Sequence, residues 1–89
     1  MSIQKANKIG KLANVVEECE KRARNRGILV DRRRFIGNKR DLLHLLERVV
    51  GERVSEASLE EYLRELGVRF PAARYDKAIR DLFPEVFAK

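Results

Sequence analysis

The length, composition and charge of this chain exclude several classes of protein. Its 89 residues suffice for one hydrophobic core. A composition of 44% hydrophobic and 38% charged residues is too apolar for a disordered chain and too charged for a membrane-spanning one. We therefore expect a single domain over residues 1–89, and the patterns described below predict that it is helical. The excess of 20 Lys and Arg over 14 Asp and Glu, a net charge of +6, favours an anionic partner such as nucleic acid.

The first predicted helix covers residues 2–26. Its apolar residues recur every three or four positions, which is the spacing of one helix face. They are Ile3, Ala6, Ile9, Leu12, Ala13, Val16, Cys19 and Ala23. Gly27 follows a basic last turn, and a glycine that can adopt positive φ commonly ends a helix. We therefore place the end of this helix just before Gly27.

Residues 27–37 lose this spacing and are predicted to form an extended connection. Two apolar runs, residues 28–30 and 35–36, lie on either side of Asp31 and three successive arginines. We expect both runs to enter the core, which directs the arginines between them into solvent.

Two further helices have clear signals at their ends. Asn38 is the predicted N-cap of the second helix, which has a wide leucine-rich face and ends at Gly51. The third helix starts at Ser55 or at Ser58, since either serine can cap it. Ser58 and Glu61 have the spacing of a capping box, in which each side chain satisfies a backbone donor of the other residue.

The fourth predicted helix begins at Pro71, after Gly67 has ended the third, because proline is tolerated in a first turn. Pro84 ends this fourth helix. Its buried face consists of Tyr75, Ala78, Ile79 and Leu82. Together the patterns predict an all-α fold, a compact four-helix domain with one longer basic connection between helices 1 and 2.

Positive charge is concentrated in residues 21–40, where nine basic residues and one aspartate give a net charge of +8. Lys39 and Arg40 lie in the first turn of a helix, where the dipole disfavours cations but where free N–H groups suit a phosphate. The candidate nucleic-acid-binding residues are Arg22, Arg24, Arg26, Arg32, Arg33, Arg34, Asn38, Lys39 and Arg40. The alternative is that this segment is a solvated or protein-facing loop.

Two stretches resemble known DNA-binding units. Residues 59–66 and 72–82, joined by a turn after Gly67, resemble a helix-turn-helix unit, whose second helix enters the major groove. This resemblance implies secondary nucleic-acid contacts by Arg74, Lys77 and Arg80. The stretch from Gly27-Ile28 to Asn38-Lys39-Arg40-Asp41-Leu42-Leu43 resembles instead the SAP-type helical hairpin, which binds DNA backbones.

Residues suited to catalysis or metal binding are few. His44, the only histidine, lies among leucines and is expected to be a partly buried structural residue. One histidine and one cysteine, Cys19, do not make a metal site without suitably spaced carboxylates, so we expect no metal, no cofactor and no enzymatic activity. The single cysteine and the lack of an apolar signal-peptide core predict a cytoplasmic protein.

Two functional hypotheses follow from these features. The first is a small basic protein that contacts the nucleic-acid phosphate backbone with little sequence specificity, DNA being favoured over RNA. The alternative is a non-catalytic accessory subunit of a larger replication, transcription or ribosomal complex that binds RNA or a protein partner. In that case the apolar tail residues Phe83, Val86 and Phe87 provide the anchor. Neither hypothesis involves a membrane.

Overall fold

The structure, a computed structural model, describes residues 2–70 and 77–87. These residues form five helices, which are α1 (Ile3–Asn25), α2 (Lys39–Val50), α3 (Glu56–Leu66), α4 (Ala78–Leu82) and α5 (Pro84–Phe87). No strand occurs within those two ranges, so the all-α prediction is confirmed. The predicted count of four helices is not, because the described part of the chain holds three long helices and two short ones.

The ends of α1 and α2 follow their sequence signals. Gly27 has φ 74° directly after the C-cap of α1. At the start of α2 the Asn38 side chain accepts a hydrogen bond from the backbone N–H of Asp41 at 2.8 Å, and Gly51 ends the helix with φ 83°. These helix limits are set locally, because a side-chain acceptor or a glycine satisfies the unpaired backbone groups at each end.

The start of α3 decides between the two predicted caps. Ser55 is the N-cap, and its hydroxyl accepts the backbone N–H of Ser58 at 3.1 Å. The predicted capping box of Ser58 and Glu61 is wrong, because Ser58 already lies inside the helix and Glu61 instead forms an ion pair with Lys5 of α1. Glu61, which the local pattern assigned to the cap, is thus engaged in a tertiary contact with α1.

The end of the chain differs from the predicted single fourth helix. α4 ends at Leu82, and α5 begins at Pro84 after one intervening residue. Pro84 has no N–H to continue α4, as expected, but its fixed φ suits the first turn of a new helix. The predicted start at Pro71 and the buried position of Tyr75 lie outside the described residues.

The core is organised around α1, which packs against α2, α3 and α4. Its buried residues are Leu12, Val15, Val16, Cys19 and Ala23, of which Val15 was not predicted. The predicted face is wrong at its start, where Ile3 is 89% exposed and Ala6 is exposed as well, because the first turns of α1 lie beyond the core. The partners of the buried stripe include the fully buried Leu42, Leu46, Leu59 and Ile79. Burial of such apolar surface drives the packing of the helices, since it removes that surface from water.

The connection between α1 and α2 enters the core at only some of the expected positions. Phe35 and Ile36 are buried, as predicted, and Ile28 and Val30 pack partly against the core. Leu29 is 97% exposed, contrary to the prediction for residues 28–30. Alternate residues of an extended segment point to opposite sides, so a run of three apolar residues cannot all face one core.

Candidate nucleic-acid interface

A tight turn at residues 31–34 presents the three successive arginines. Asp31 forms the turn in two ways, because its carboxylate accepts the N–H of Arg33 at 2.9 Å and its backbone carbonyl accepts the N–H of Arg34 at 2.9 Å. Aspartate favours such turns because its short side chain can bond to the backbone two residues on. The predicted extended connection therefore contains a defined turn.

The turn is fixed to the rest of the molecule by backbone bonds to Arg69, which follows α3. The N–H of Arg69 donates to the carbonyl of Arg32 at 2.7 Å, and the N–H of Phe35 donates to the carbonyl of Arg69 at 2.8 Å. Behind the turn, the rings of Phe35 and Phe70 meet edge to face with centroids 5.4 Å apart. These contacts hold the position of the arginines relative to α3.

Arg32 faces α1 instead of solvent. Its Nε lies 3.2 Å from a carboxylate oxygen of Glu20, and its Nη2 lies 3.7 Å from one of Glu17. The side chain is about one third exposed. Two carboxylates thus neutralise Arg32. Its side chain links the turn to α1 and is poorly placed to bind an external phosphate.

Arg22 is also used inside the molecule. Its guanidinium binds Glu18 at 3.0 Å, donates to the carbonyl of Leu82 at 2.9 Å and forms an ion pair with Glu85. It also lies 4.1 Å from the centroid of the Phe83 ring. The hydrogen bond from Arg22 lowers the pKa of the Glu85 carboxyl. Arg22 therefore joins α1 to α4 and α5.

Five of the predicted residues remain exposed and make no side-chain hydrogen bond or salt bridge with any residue in the described ranges. They are Arg24, Arg26, Arg33, Arg34 and Arg40. Lys39 is exposed as well, but its ammonium lies 3.1 Å from Glu60. An exposed ion pair of this kind is weak in water, so Lys39 contributes less than a free cation to the external field.

Four of these arginines lie in two chain segments that contact each other, namely the last part of α1 with the residues after it, and the turn. Arg69, which sequence reasoning missed, lies in a third segment that is bonded to the turn. We call Arg24, Arg26, Arg33, Arg34 and Arg69 the turn surface. The bonds from Arg32 to α1 place the turn beside residue 20, and Arg24 and Arg26 follow within about 10 Å along the helix axis at 1.5 Å per residue. Arg69 is exposed and joins through the backbone pairing. No local pattern marks it, because its role depends on a contact between distant segments.

A groove of about 410 Å³ lies between the start of α2 and α4. Its lining residues are Asn38, Arg40, Asp41, Lys77 and Arg80, and we call it the α2–α4 groove. The structure thus brings two sets of residues together that the sequence suggested separately, one at the start of the second helix and one on the last helix. Arg74, the remaining member of the second set, lies outside the described residues.

Asp41 is the acidic residue among the described lining residues of this groove and is almost completely buried, with 2% of its surface exposed. Its two carboxylate oxygens lie 3.2 and 3.3 Å from Nε of Arg80, and one of them accepts Asn38 Nδ2 at 3.1 Å. Among the described residues that line the groove, three cationic side chains accompany one carboxylate, so their net charge is positive.

His44 and Cys19 offer little chemistry. His44 is exposed, contrary to the prediction that it is partly buried, and its ring lies 5.3 Å from that of Phe87. Burial raises the pKa of the Cys19 thiol to about 12, so almost none of the reactive thiolate exists near neutral pH. Within the described ranges, no group of three or more His, Cys, Asp or Glu residues could hold a metal ion.

The apolar tail is largely packed against its own domain. Phe83 is 6% exposed, and Val86 and Phe87 are partly buried against the core. Among the helices that the structure describes, none combines the length and apolarity needed to cross a membrane. No protein-family model, curated protein or solved structure matches this chain. The case for a function therefore depends on the residues themselves.

Proposed function

We propose that this protein binds nucleic acid, with duplex DNA as the preferred form, through the phosphate backbone and with little sequence specificity. The observation that supports the proposal is the turn surface, five exposed arginines without an intramolecular partner in the described residues. Phosphates carry the only regularly repeated negative charge of nucleic acids, and arginine binds them through a planar fork of donors.

The selective pairing of charges supports an external anionic ligand. The acidic residues of α1 bind Arg22 and Arg32, while Arg33 and Arg34, which directly follow Arg32, are exposed and form no ion pair with a described residue. Like charges held together in this way repel each other, and a bound polyanion relieves that repulsion. No Phe or Tyr in the described ranges is exposed enough to stack on a base, so we expect the arginines to contact phosphates and sugars rather than base edges, with little sequence specificity.

The alternative function, an accessory subunit held by its apolar tail, receives less support. Phe83 is buried and lies beneath Arg22, so it is not available as an anchor unless the tail leaves the core. Interface anchors are ordinarily exposed before binding and buried afterwards. The exposed arginines, by contrast, are available without any rearrangement.

The test is a comparison of two double variants that remove the same charge from different places. Arg33→Gln with Arg34→Gln removes two members of the turn surface and leaves Arg32 to hold the turn on α1. Lys11→Gln with Arg53→Gln is the matched control, because neither residue forms a salt bridge with a described residue. Lys11 also lies about 20 Å along α1 from Arg24.

Binding is measured by fluorescence anisotropy with duplex DNA, single-stranded DNA and RNA of equal length at low salt. We expect the turn variant to lose at least about tenfold in affinity, since a hydrogen bond to a charged group contributes about 1.5–3 kcal/mol and about 1.4 kcal/mol corresponds to a factor of ten. The control should bind nearly as the wild type does. Equal affinities for both variants, or no binding of the wild type to any of the three probes, would contradict the proposal.

A further inference from the structure

The α2–α4 groove has the features of a preorganised binding site for one anionic group. One wall carries Arg40, from the first turn of α2, and the other carries Lys77 and Arg80. The walls approach closely because Gly37 has no side chain, since a Cβ there would lie 2.7 Å from Cγ1 of the buried Ile79. The three cations thus converge through tertiary packing rather than through their order in the chain.

The guanidinium of Arg80 is held in one orientation. Asp41 binds it through Nε, and the ring of Phe87 lies 5.6 Å from its Cζ atom. The two Nη nitrogens make no hydrogen bond or salt bridge with a described residue, and the side chain is 58% exposed. A guanidinium fixed through Nε presents its free Nη donors ready for a ligand, which reduces the entropy lost on binding.

We infer that the α2–α4 groove binds one phosphate group, with Arg80, Arg40 and Lys77 as the binding residues and Asp41 as the positioning residue for Arg80. This inference rests on the proposed function in one respect, namely that a nucleic-acid strand supplies the phosphate. The Nη donors of Arg80 and the cationic groups of Arg40 and Lys77 match the several oxygens of a phosphate. The positive end of the α2 helix dipole also attracts the negative charge of the phosphate.

The groove is tested by NMR titration of the isotope-labelled protein with inorganic phosphate. The signals of the Arg40 backbone amide and of Arg80 Nε should shift and saturate, while those of Lys11 and Arg53 should stay in place. Arg80→Lys keeps the charge and loses the fork, so phosphate affinity should fall by about fivefold. Arg40→Gln with Lys77→Gln, which leaves the pair of Asp41 and Arg80 intact, should lower it by about tenfold.

Asp41→Asn separates positioning from simple electrostatics, because the two predict opposite signs. Removal of a negative charge from the groove should raise phosphate affinity if Asp41 only weakens the local field. If Asp41 positions Arg80, affinity should fall, and the same change should have little effect in the Arg80→Lys background. Unchanged circular dichroism spectra establish that the variants fold. Absent or non-saturating shifts, equal affinity of Arg80→Lys, or tighter binding by Asp41→Asn would overturn the inference.

The proposals for the groove and for the turn surface can be contradicted independently of each other. Arg33→Gln with Arg34→Gln should retain the phosphate shifts in the groove even though it weakens DNA binding, so loss of one result leaves the other intact. Oligonucleotides with a 5′-phosphate or a 5′-hydroxyl then identify the source of the phosphate. A preference for the 5′-phosphate assigns the groove to strand ends. Equal affinity together with a shift of the Arg80 Nε signal assigns it to phosphates within the strand, and no shift with either strand overturns the strand as the source.

Discussion

Gly37 shows how a single residue can position a candidate site. It has φ 87°, in the region that favours glycine, and it lies against Ile79 of α4 just before α2 begins. A side chain at this position meets two constraints at once, an unfavourable backbone conformation and a fully buried neighbour whose side chain would have to shift within a packed core. Gly51 has a similar φ of 83° but nothing within 4 Å of the place where a Cβ would lie.

Gly37→Ala should therefore lower the free energy of unfolding by about 2–4 kcal/mol, the sum of backbone strain and overpacking. Gly51→Ala is the control for strain alone and should cost about 1 kcal/mol. Gly10→Ala, in the middle of α1 with open space around it, should stabilise by about 0.5–1 kcal/mol. Urea unfolding curves measure all three, and equal losses for the first two would show that contact with Ile79 is unimportant.

Among the elements, α3 shows where a local pattern and the folded structure disagree. Both serines near its start are reasonable caps by sequence, and the capping-box spacing favours Ser58. In the structure Ser55 is the cap and Glu61 is drawn to Lys5, so the helix starts earlier than that spacing implies. The hydroxyl of Ser58 lies 2.9 Å from that of Ser55, which is an accessory contact.

Ser55→Ala should destabilise the protein by about 1 kcal/mol, because it leaves the N–H groups of the first turn of α3 without their side-chain acceptor. Ser58→Ala should change stability by less than about 0.5 kcal/mol, since alanine is the better helix former and only the contact between hydroxyls is lost. Thermal unfolding followed by circular dichroism measures both. A larger loss for Ser58→Ala than for Ser55→Ala would assign the cap to Ser58 instead.

At the scale of the whole molecule, the basic region is divided between internal and external use. Arg22, Arg32 and Lys39 lie in ion pairs with acidic residues of the protein itself. Arg33 and Arg34 have no such partner among the described residues, so the net charge of the segment overstates what a ligand meets. The number of phosphates contacted should follow the free cations rather than the total.

The salt dependence of DNA binding counts those contacts. Each neutralised phosphate contributes about −0.9 to the slope of log affinity against log salt concentration for a duplex. Arg33→Gln with Arg34→Gln should therefore make the slope shallower by about 1.8, and Lys11→Gln with Arg53→Gln should leave it unchanged. Binding isotherms at four or more salt concentrations give the slopes. Identical slopes for the wild type and the turn variant would exclude these arginines as phosphate contacts.

The sequence by itself determined the features that depend on neighbouring residues. The stripe of α1, the Asn38 cap and the glycine stops at 27, 51 and 67 could be recognised because each acts within about one helical turn. Helical periodicity and the absence of strand patterns led to the all-α class. The concentration of charge in residues 21–40 was visible in the same way.

Only the tertiary structure decided which charges remain free and which distant residues meet. Arg32 is neutralised by α1, Arg69 joins the turn through the backbone, and Arg40 faces Arg80 across a groove held close by Gly37. The exposure of Leu29 likewise follows from the packing of its two neighbours. Local periodicity carries no information on such pairings, because an ion pair or a groove depends on the three-dimensional distance between segments that the chain order leaves undetermined.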